Sequence, residues 1–577
     1  MYKHYNTSDC SLVLNLDFDI AKNHDARFIS LFVDSIPDSE FPKPTSTGRP
    51  GHHPRMMLKM ILFAYSRGVY SGRKIVQMNE EMIPMKWLTN DQYVGYHSIN
   101  DFRVHPSTAT LIRKAFVHFY SLLKEHHYVD EEAVFIDGTK LEADANRYSF
   151  VWRKSIEKHD AKLNKEVVAL YDELVKNEIN CALQEDELQS SVGIEAMIQK
   201  TKEKLEQLND EISEEPKSIP GGSPNKRKRR WVKKHLRKLS KDYLPRKHKY
   251  EEAKNRFEGR NSYSKTDHDA TFMCMKEDAM KNRTLKPGYN LQIATQNQFV
   301  LAYDLYPNPS DTRTLIPFLN SNDLFHEFNC IVADAGYGSE ENYQHIIDDM
   351  EKIPLIPYTM YRKEQSKKYK NDPKLRHNWH YFEDLDCYVD DQGVQFSFSH
   401  YNQRKDKTGF EREFKVYKAD KVQLTPELDK LALTPSGNQR VISVNQVWDY
   451  YKSKAKEYLE SDSGCQLYAQ RKIEVEPVFG QMKRNFGVRR VHVRGKIGVS
   501  NDIGILLMAM NLTRLAEMIR RKGRGSLFFS YIFLKLIKTE KHLIFLKCLS
   551  VIFETFCPAS PFFLIKRFSL SLILFLD

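Results

Sequence analysis

VFIDGTK, Val134–Lys140, runs three apolar residues into an aspartate, a glycine and a short polar stretch. IVADAGYG, Ile331–Gly338, repeats the arrangement far downstream. Each is read as a β-type apolar segment that ends on a lone carboxylate, Asp137 in the first and Asp334 in the second. An isolated aspartate at a strand end is ordinarily a turn former. Two of them in the same setting suggest carboxylates brought together, and the intervening chain can be read for the elements that would join them.

Those elements are legible. Tyr289, Leu291, Ile293 and Thr295 alternate with polar neighbours, Gln296 to Gln298 turns the chain, and Phe299, Leu301, Tyr303 and Leu305 alternate back, as in a hairpin. A helix is expected from about Ser310, then the strand ending at Asp334. Gly338-Ser339 opens a further helix through Ile346 and Ile347, and Ile353 to Pro357 reads as a short buried strand. From His380 to Ala419 the pattern is β-rich, with Val394, Phe396, Phe398, Phe410, Phe414 and Val416. Helical spacing of Val475, Phe479, Met482 and Phe486 then carries RKIEVEPVFGQMKRNFG, Arg471–Gly487. Pro477 disfavours a helical backbone at the residue before it, which puts Glu476 at a helix start or kink.

The order strand-Asp, hairpin, helix, strand-Asp, helix, short strand, insertion, helix-Glu matches the α/β ribonuclease-H-like core, a mixed sheet flanked by helices. In that fold two strand-end aspartates stand beside a helical glutamate. Three clustered carboxylates repel one another unless cations are bound. Mg²⁺ takes oxygen ligands at about 2.0–2.1 Å, and two ions roughly 3.5–4 Å apart serve in-line phosphoryl displacement.

The 577 residues are enough for three or four domains. With 41% hydrophobic and 12% aromatic residues, a sizeable core can form and wholesale disorder is excluded. The net charge is +12, and Lys226 to Lys249 holds thirteen Lys/Arg against Asp242 alone, so this one stretch carries the whole excess. Such a segment suits a polyanion, most simply nucleic acid. Its Val232, Leu236, Leu239 and Tyr243 share one helical face, which leaves Lys226, Arg227, Lys228, Arg229, Arg230, Lys233, Lys234 and Arg237 as candidate DNA contacts. Eight scattered cysteines without a C-x-x-C pair exclude a disulfide scaffold and zinc spacing, and point to a reduced, cytosolic protein. His52-His53 reads as a loop pair and not a ligand site, and MYKHYNTSDC lacks a signal-peptide core. From Leu527 the chain turns strongly apolar, yet charges at Lys535, Lys541, Lys547, Glu554 and Lys566 interrupt it below the ~18 residues of a membrane span. Buried packing, an interfacial segment and an aberrant terminus all remain open for that tail.

Residues 1–128 read as an all-α N-terminal domain. Met57, Leu58, Ile61, Leu62 and Tyr65 mark one helix, Ile75, Met78 and Met82 a second, and Ser98 with Asp101 a capping pair that opens a third. Leu111, Ala115, Phe119 and Leu122 follow on a long helix after Pro106. DNA contact and plain helical packing explain this pattern equally well. Residues 129–148 and 262–360 form the first part of the core. A helical and basic insertion spans 149–261, with Ile194, Ile198, Thr201, Leu205, Leu208 and Ile212 as a short coiled-coil seam and a break at Pro216 to Pro224. A β-rich insertion covers 361–465, the helix with the catalytic Glu 466–522, and the apolar tail 523–577.

FIDGTKLEADAN, YSKTDHDATF, PGYNLQI, VADAGYGSEENY and VEPVFGQMKRNFG, in this order, resemble the insertion-sequence DDE transposases of the IS-four/IS-five-like superfamily, particularly the group numbered eleven-eighty-two. GRPGHHPRMMLKMILFAYSRG and HSINDFR resemble that family's helical N-terminal domain, and the likeness runs from about residue 10 to 522. The resemblance implies a DNA transposase that binds terminal inverted repeats and carries out metal-dependent cleavage and strand transfer. Asp137, Asp334 and Glu476 would be the catalytic, metal-binding triad for two Mg²⁺ ions, with Mn²⁺ as an expected substitute. Lys483, seven positions after Glu476, would hold a DNA phosphate. The upstream part of the motif fits less well: Lys472 stands where the family has Arg, with Arg471 beside it and Tyr468 one step off.

Glu474 is a rival to Glu476. Glu142, Asp144, Asp267, Asp269 and Asp311 read as solvated or capping acids, and Lys140 as a surface lysine. The expected partners are double-stranded DNA and a second copy of the chain, with no membrane partner, in the bacterial cytoplasm at the nucleoid. Two other readings use the same residues: an inactive, decayed DNA-binding protein, and a metal nuclease without strand transfer.

Overall fold

Alternating apolar residues with β-branched and aromatic enrichment favour pleated pairing, and four-and-three apolar spacing favours helices; both patterns are realised here. The structure is a computed structural model describing residues 20–21, 23–42, 51–181, 184–215, 223–275, 284–406 and 409–521. The break read at Pro216 to Pro224 falls outside it up to residue 222, as does the whole apolar tail. Among the described residues no helix is long and apolar enough to cross a membrane.

The chain divides into two units. One comprises the residues up to Ser121 together with those from Ile503. It is helical, with helices Asp25–Ser35, Pro54–Ser66, Gly72–Glu81, Ile83–Thr89 and Tyr96–Val104, the Pro106–Glu125 helix as far as Ser121, and the last part of Lys496–Arg521. Phe28 packs against Ala516 and Ile519, so residues from Ile503 group with the N-terminal helices, where the sequence had grouped them with the core helix. His53 is the N-cap of Pro54–Ser66, its Nδ1 accepting from the Arg55 amide at 3.2 Å. Ser98 lies inside the helix that begins at Tyr96, after Gly95, and is therefore not the cap that its spacing to Asp101 suggested.

The second unit, Leu122–Asp502, is built on a six-stranded mixed sheet. In chain order the strands of the unit are β1 (Ala133–Glu142), β2 (Phe150–Trp152), β3 (Ser262–Ser264), β4 (Thr271–Cys274), β5 (Leu285–Gln296), β6 (Phe299–Tyr306), β7 (Cys330–Val332), β8 (Ile353–Leu355), β9 (His380–Phe382), β10 (Cys387–Val389), β11 (Gln395–Lys405), β12 (Glu411–Ala419) and β13 (Val441–Val444). The main sheet runs β4-β5-β1-β7-β8, with β6 also paired to β5. β1 is antiparallel to β5 and parallel to β7, the mixed pattern expected of the ribonuclease-H-like core. The β5–β6 turn is Asn297-Gln298, both at positive φ, the backbone of a two-residue hairpin loop. Asn290 and Gln292, the polar members of the β5 alternation, are fully buried, so both faces of this strand are covered.

The helical insertion leaves and returns through the β2–β3 ribbon. Helices Arg153–Lys176, Ser191–Glu214, Pro224–Lys238 and Leu244–Phe257 pack their apolar stripes into one core. Ile194, Ile198, Thr201 and Leu208 are buried on the second of these, and Val232, Leu239 and Tyr243 face them. An ion pair is sealed into this bundle: Lys247 Nζ lies 2.8 Å from Asp160 and 2.9 Å from Asn164 Oδ1, and Lys254 also reaches Asp160. Burial pushes the Asp160 carboxyl up, but the two ammonium groups outweigh it and hold it below the usual range. Lys247→Met leaves a buried carboxylate short of one partner and is expected to cost about 3 kcal/mol, read as faster amide exchange in 153–176 and 244–257. Because the folded carboxyl is depressed, the pair's contribution is present above the unfolded pKa and disappears as pH falls through the folded one. The difference between variant and wild type should therefore close in acid.

The β-rich insertion is a separate five-stranded antiparallel sheet, β13-β12-β11-β10-β9, over a small core of Val394, Phe396, Tyr417 and Val444. Buried Glu340 ties it to the core, taking bonds from Asn445 Nδ2 at 2.8 Å and Arg412 Nε at 3.1 Å.

Candidate active site

β1 does not end at Asp137. It continues five residues further, to Glu142, because β5 pairs with it throughout that length. The parallel partner on its other side is only three residues long, and the pairing stops at Phe135↔Val332. Asp137 and Asp334 each lie two residues beyond this last pair. Asp334 is already outside β7, so both aspartates follow the same end of the β1–β7 ladder. The carboxylate is thus at the end of a ladder, not of a strand, and β1 past Phe135 has an open side.

Gly138 is correspondingly no turn glycine. It sits in the middle of β1, opposite Gln292, and a Cβ there would lie 2.3 Å from the Gln292 amide nitrogen. The Gly138 amide donates to the Asp137 carboxylate at 2.7 Å, and Asp137 is buried. Asp334 caps the short turn Ala335–Tyr337, accepting from the Gly336 amide at 2.8 Å. Tyr337 lies fully buried behind the pair. Burial and then the negative charges of Asp311, Asp137 and Asp334 hold its phenol far above the ordinary tyrosine range. Asp311, read from sequence as a solvated or capping acid, therefore acts on the same phenol as the two aspartates. Its signal was long-range and is absent from its own flanks.

The helix Asp462–Gly480 packs on β1 and buries Leu467, Glu474, Val475 and Val478. The Arg471 guanidinium stands 3.5 Å from the Asp137 carboxylate, both side chains largely buried. Arg471, a candidate DNA contact by sequence, is thus ion-paired with the first aspartate in this structure. Pro477 neither starts nor breaks the helix, which runs unbroken to Gly480 before a wider turn, Gln481–Asn485. The carbonyl that loses its partner to Pro477 is that of Ile473, which is 62% exposed, so water can satisfy it.

The two glutamates are separated by this helix. Glu474 is buried and accepts from the Gln298 amide at 2.8 Å, which holds the β5–β6 turn. Glu476 is exposed, one helical turn past exposed Lys472, and half-buried Lys483 follows in the wider turn Gln481–Asn485. Glu476 lies five residues past Arg471, about 7.5 Å along the axis and roughly 140° around it. Among the described residues no three His, Cys, Asp or Glu side chains stand close enough to share a metal. Asp137 and Asp334 thus follow one ladder end and act on the same phenol, and they form no three-acid group with Glu476. Their carboxylates, with Asp311 adding to the negative field, are the oxygen donors that a hard divalent cation takes. Tyr468 is half-buried on the same helix.

On the basic helix Pro224–Lys238 the candidate cations divide. Lys228 bonds Glu178 at 2.9 Å and Arg229 reaches Asn209 at 3.4 Å. Lys226, Arg227, Arg230, Lys233, Lys234 and Arg237 are exposed. Of these, Lys226, Arg230, Lys233, Lys234 and Arg237 recur at four- and three-residue steps on one face.

Two family models match the chain: one described as Transposase DDE domain over residues 260–512, and one described as Transposase domain over residues 14–105. The first includes Asp334 and Glu476, while Asp137 lies before it. No curated protein and no solved structure matches.

Proposed function

We propose that this chain, an insertion-sequence DDE transposase by its two family matches, binds the terminal inverted repeats of its own element as a dimer and cuts and joins their strands at a divalent-metal site. Within the family, the motif order favours the eleven-eighty-two group. The observation that carries the reading is that Asp137 and Asp334 follow the same end of the β1–β7 ladder and both act on the buried Tyr337 phenol. These two aspartates would hold the metal, Mg²⁺ in the cell and Mn²⁺ in its place, and Glu476 would complete the set. The bound metal supplies charge neutralisation and activation for in-line displacement at phosphorus.

The chain's own residues do the rest. Arg471 neutralises Asp137 in the protein without DNA. Lys483, Lys472 and Tyr468 would meet the DNA backbone where it passes the helix. Exposed Glu476 is free of the turn-holding task that engages Glu474, which favours it as the third acid. The cationic face of Pro224–Lys238 would track phosphates without reading bases. Replacing Lys226, Arg230, Lys233 and Arg237 together by Gln is expected to flatten the dependence of log K on log salt by about 3–4. The loss of affinity should be equal for element-end and unrelated duplexes, as measured by fluorescence anisotropy across a salt series.

Incubating the protein with Mg²⁺ and a duplex copying the element's terminal repeat should yield both nicked and joined strands. Nicking without joining would leave a metal nuclease. Binding without either would favour the inactive reading.

A further inference from the structure

Gln292 stands at the centre of a buried polar chain that none of these roles uses. It lies on β5 opposite Gly138, and its side chain fills the space where a Cβ of residue 138 would be. Its Nε2 donates to Asp311 Oδ1 at 3.2 Å and to Asn290 Oδ1 at 3.1 Å, and its Oε1 accepts from the Tyr337 hydroxyl. Asn290 Nδ2 in turn donates to Asp311 Oδ1 at 2.7 Å. A carboxylate only accepts, so Asp311 imposes the orientation of both amides. With both acceptors on the Nε2 side, the Gln292 oxygen is left facing Tyr337.

Tyr337 is the last residue of the turn that Asp334 caps. The segment next to Asp311 holds the same turn from outside. Thr312 Oγ1 donates to the Gly336 carbonyl at 2.6 Å. Asn342 Nδ2 bridges the Thr312 and Tyr337 carbonyls at 3.0 and 2.7 Å. Since β7 stops at Val332, the sheet ladder does not fix Asp334. These side-chain bonds hold the turn that carries it, together with the Tyr337 amide, which donates to the Asp334 carbonyl at 3.1 Å.

We propose that Asp311, acting through Gln292 and Tyr337, is a positioning residue that sets where the Asp334 carboxylate stands relative to Asp137. The inference rests on reading Asp137 and Asp334 as the metal-binding pair. A hard divalent cation tolerates little error in ligand placement, and a fully satisfied buried network holds one arrangement where a partly satisfied one does not. The NPSD stretch, Asn308–Asp311, thereby has a task that a surface capping acid would not have.

The test measures Mn²⁺ binding to the full-length protein without DNA, by the spin-resonance signal of the free ion. The variants are Tyr337→Phe, Asp311→Asn, the double variant and, as reference, Asp334→Asn. Tyr337→Phe removes one hydroxyl and keeps the ring, so the fold is retained; a thermal melt checks each protein. Each single variant is expected to weaken Mn²⁺ binding about tenfold, as for other supports of metal ligands. The double variant should be no worse than the weaker single, because both break the same chain. Wild-type Mn²⁺ affinity in Tyr337→Phe overturns the inference, as do losses that multiply in the double variant. If Asp311→Asn fails to fold, Tyr337→Phe alone decides. Should Asp334→Asn also keep wild-type Mn²⁺ affinity, it is the metal-pair reading that falls.

Discussion

Asp334→Asn is expected to lower strand cleavage by roughly 10³-fold or more, since a bound metal contributes several kcal/mol to the transition state and each 1.36 kcal/mol is a factor of ten. Affinity for element-end DNA should stay within about twofold, because the cations proposed to meet phosphates lie elsewhere. The substitution is well suited to the site. Asp334 holds its turn by accepting from the Gly336 amide, and the asparagine side-chain oxygen can take the same bond. Loss of activity would then report the carboxylate charge and not a collapsed turn. Gel analysis of nicked and joined products beside anisotropy of the same duplex separates the two quantities. Undiminished cleavage would remove Asp334 from the site.

Glu476→Gln should likewise abolish cleavage without moving the thermal midpoint, since the side chain is exposed. Glu474→Gln should do the reverse. Its amide oxygen can still accept from the Gln298 amide, so cleavage should stay within a few-fold of wild type. The melt should fall, because a charge-assisted bond, worth about 1.5–3 kcal/mol, becomes a neutral one of roughly half that strength. The pair of variants decides between two carboxylates that sequence alone leaves two positions apart. An inactive Glu474→Gln with a fully active Glu476→Gln would transfer the third acid to Glu474 and require the β5–β6 turn to release it.

These two glutamates illustrate how far local pattern reaches. The hairpin, the helices and the order of Asp137, Asp334 and Glu476 along the chain were legible, because periods of two and 3.6 are written within windows of a dozen residues. So was the concentration of positive charge between Lys226 and Lys249. Family membership followed from the same local motifs and their order.

What the sequence could not determine was set by partners far away in the chain. Whether β1 ends at Asp137 depends on how far β5 and β7 each pair with it, and the two differ. Gly138 is required by a glutamine on another strand, not by a turn. Arg471 and Glu474 are ordinary helix-surface residues by composition, and only the packing of their helix on β1 gives one of them an aspartate and the other a backbone amide. Lys247, one cation in a basic run, is buried because Asp160 lies across the bundle. Local sequence determined which elements form and in what order. Tertiary structure decided the register between strands and the face each helix presents, because those depend on surfaces that meet only once the chain has folded.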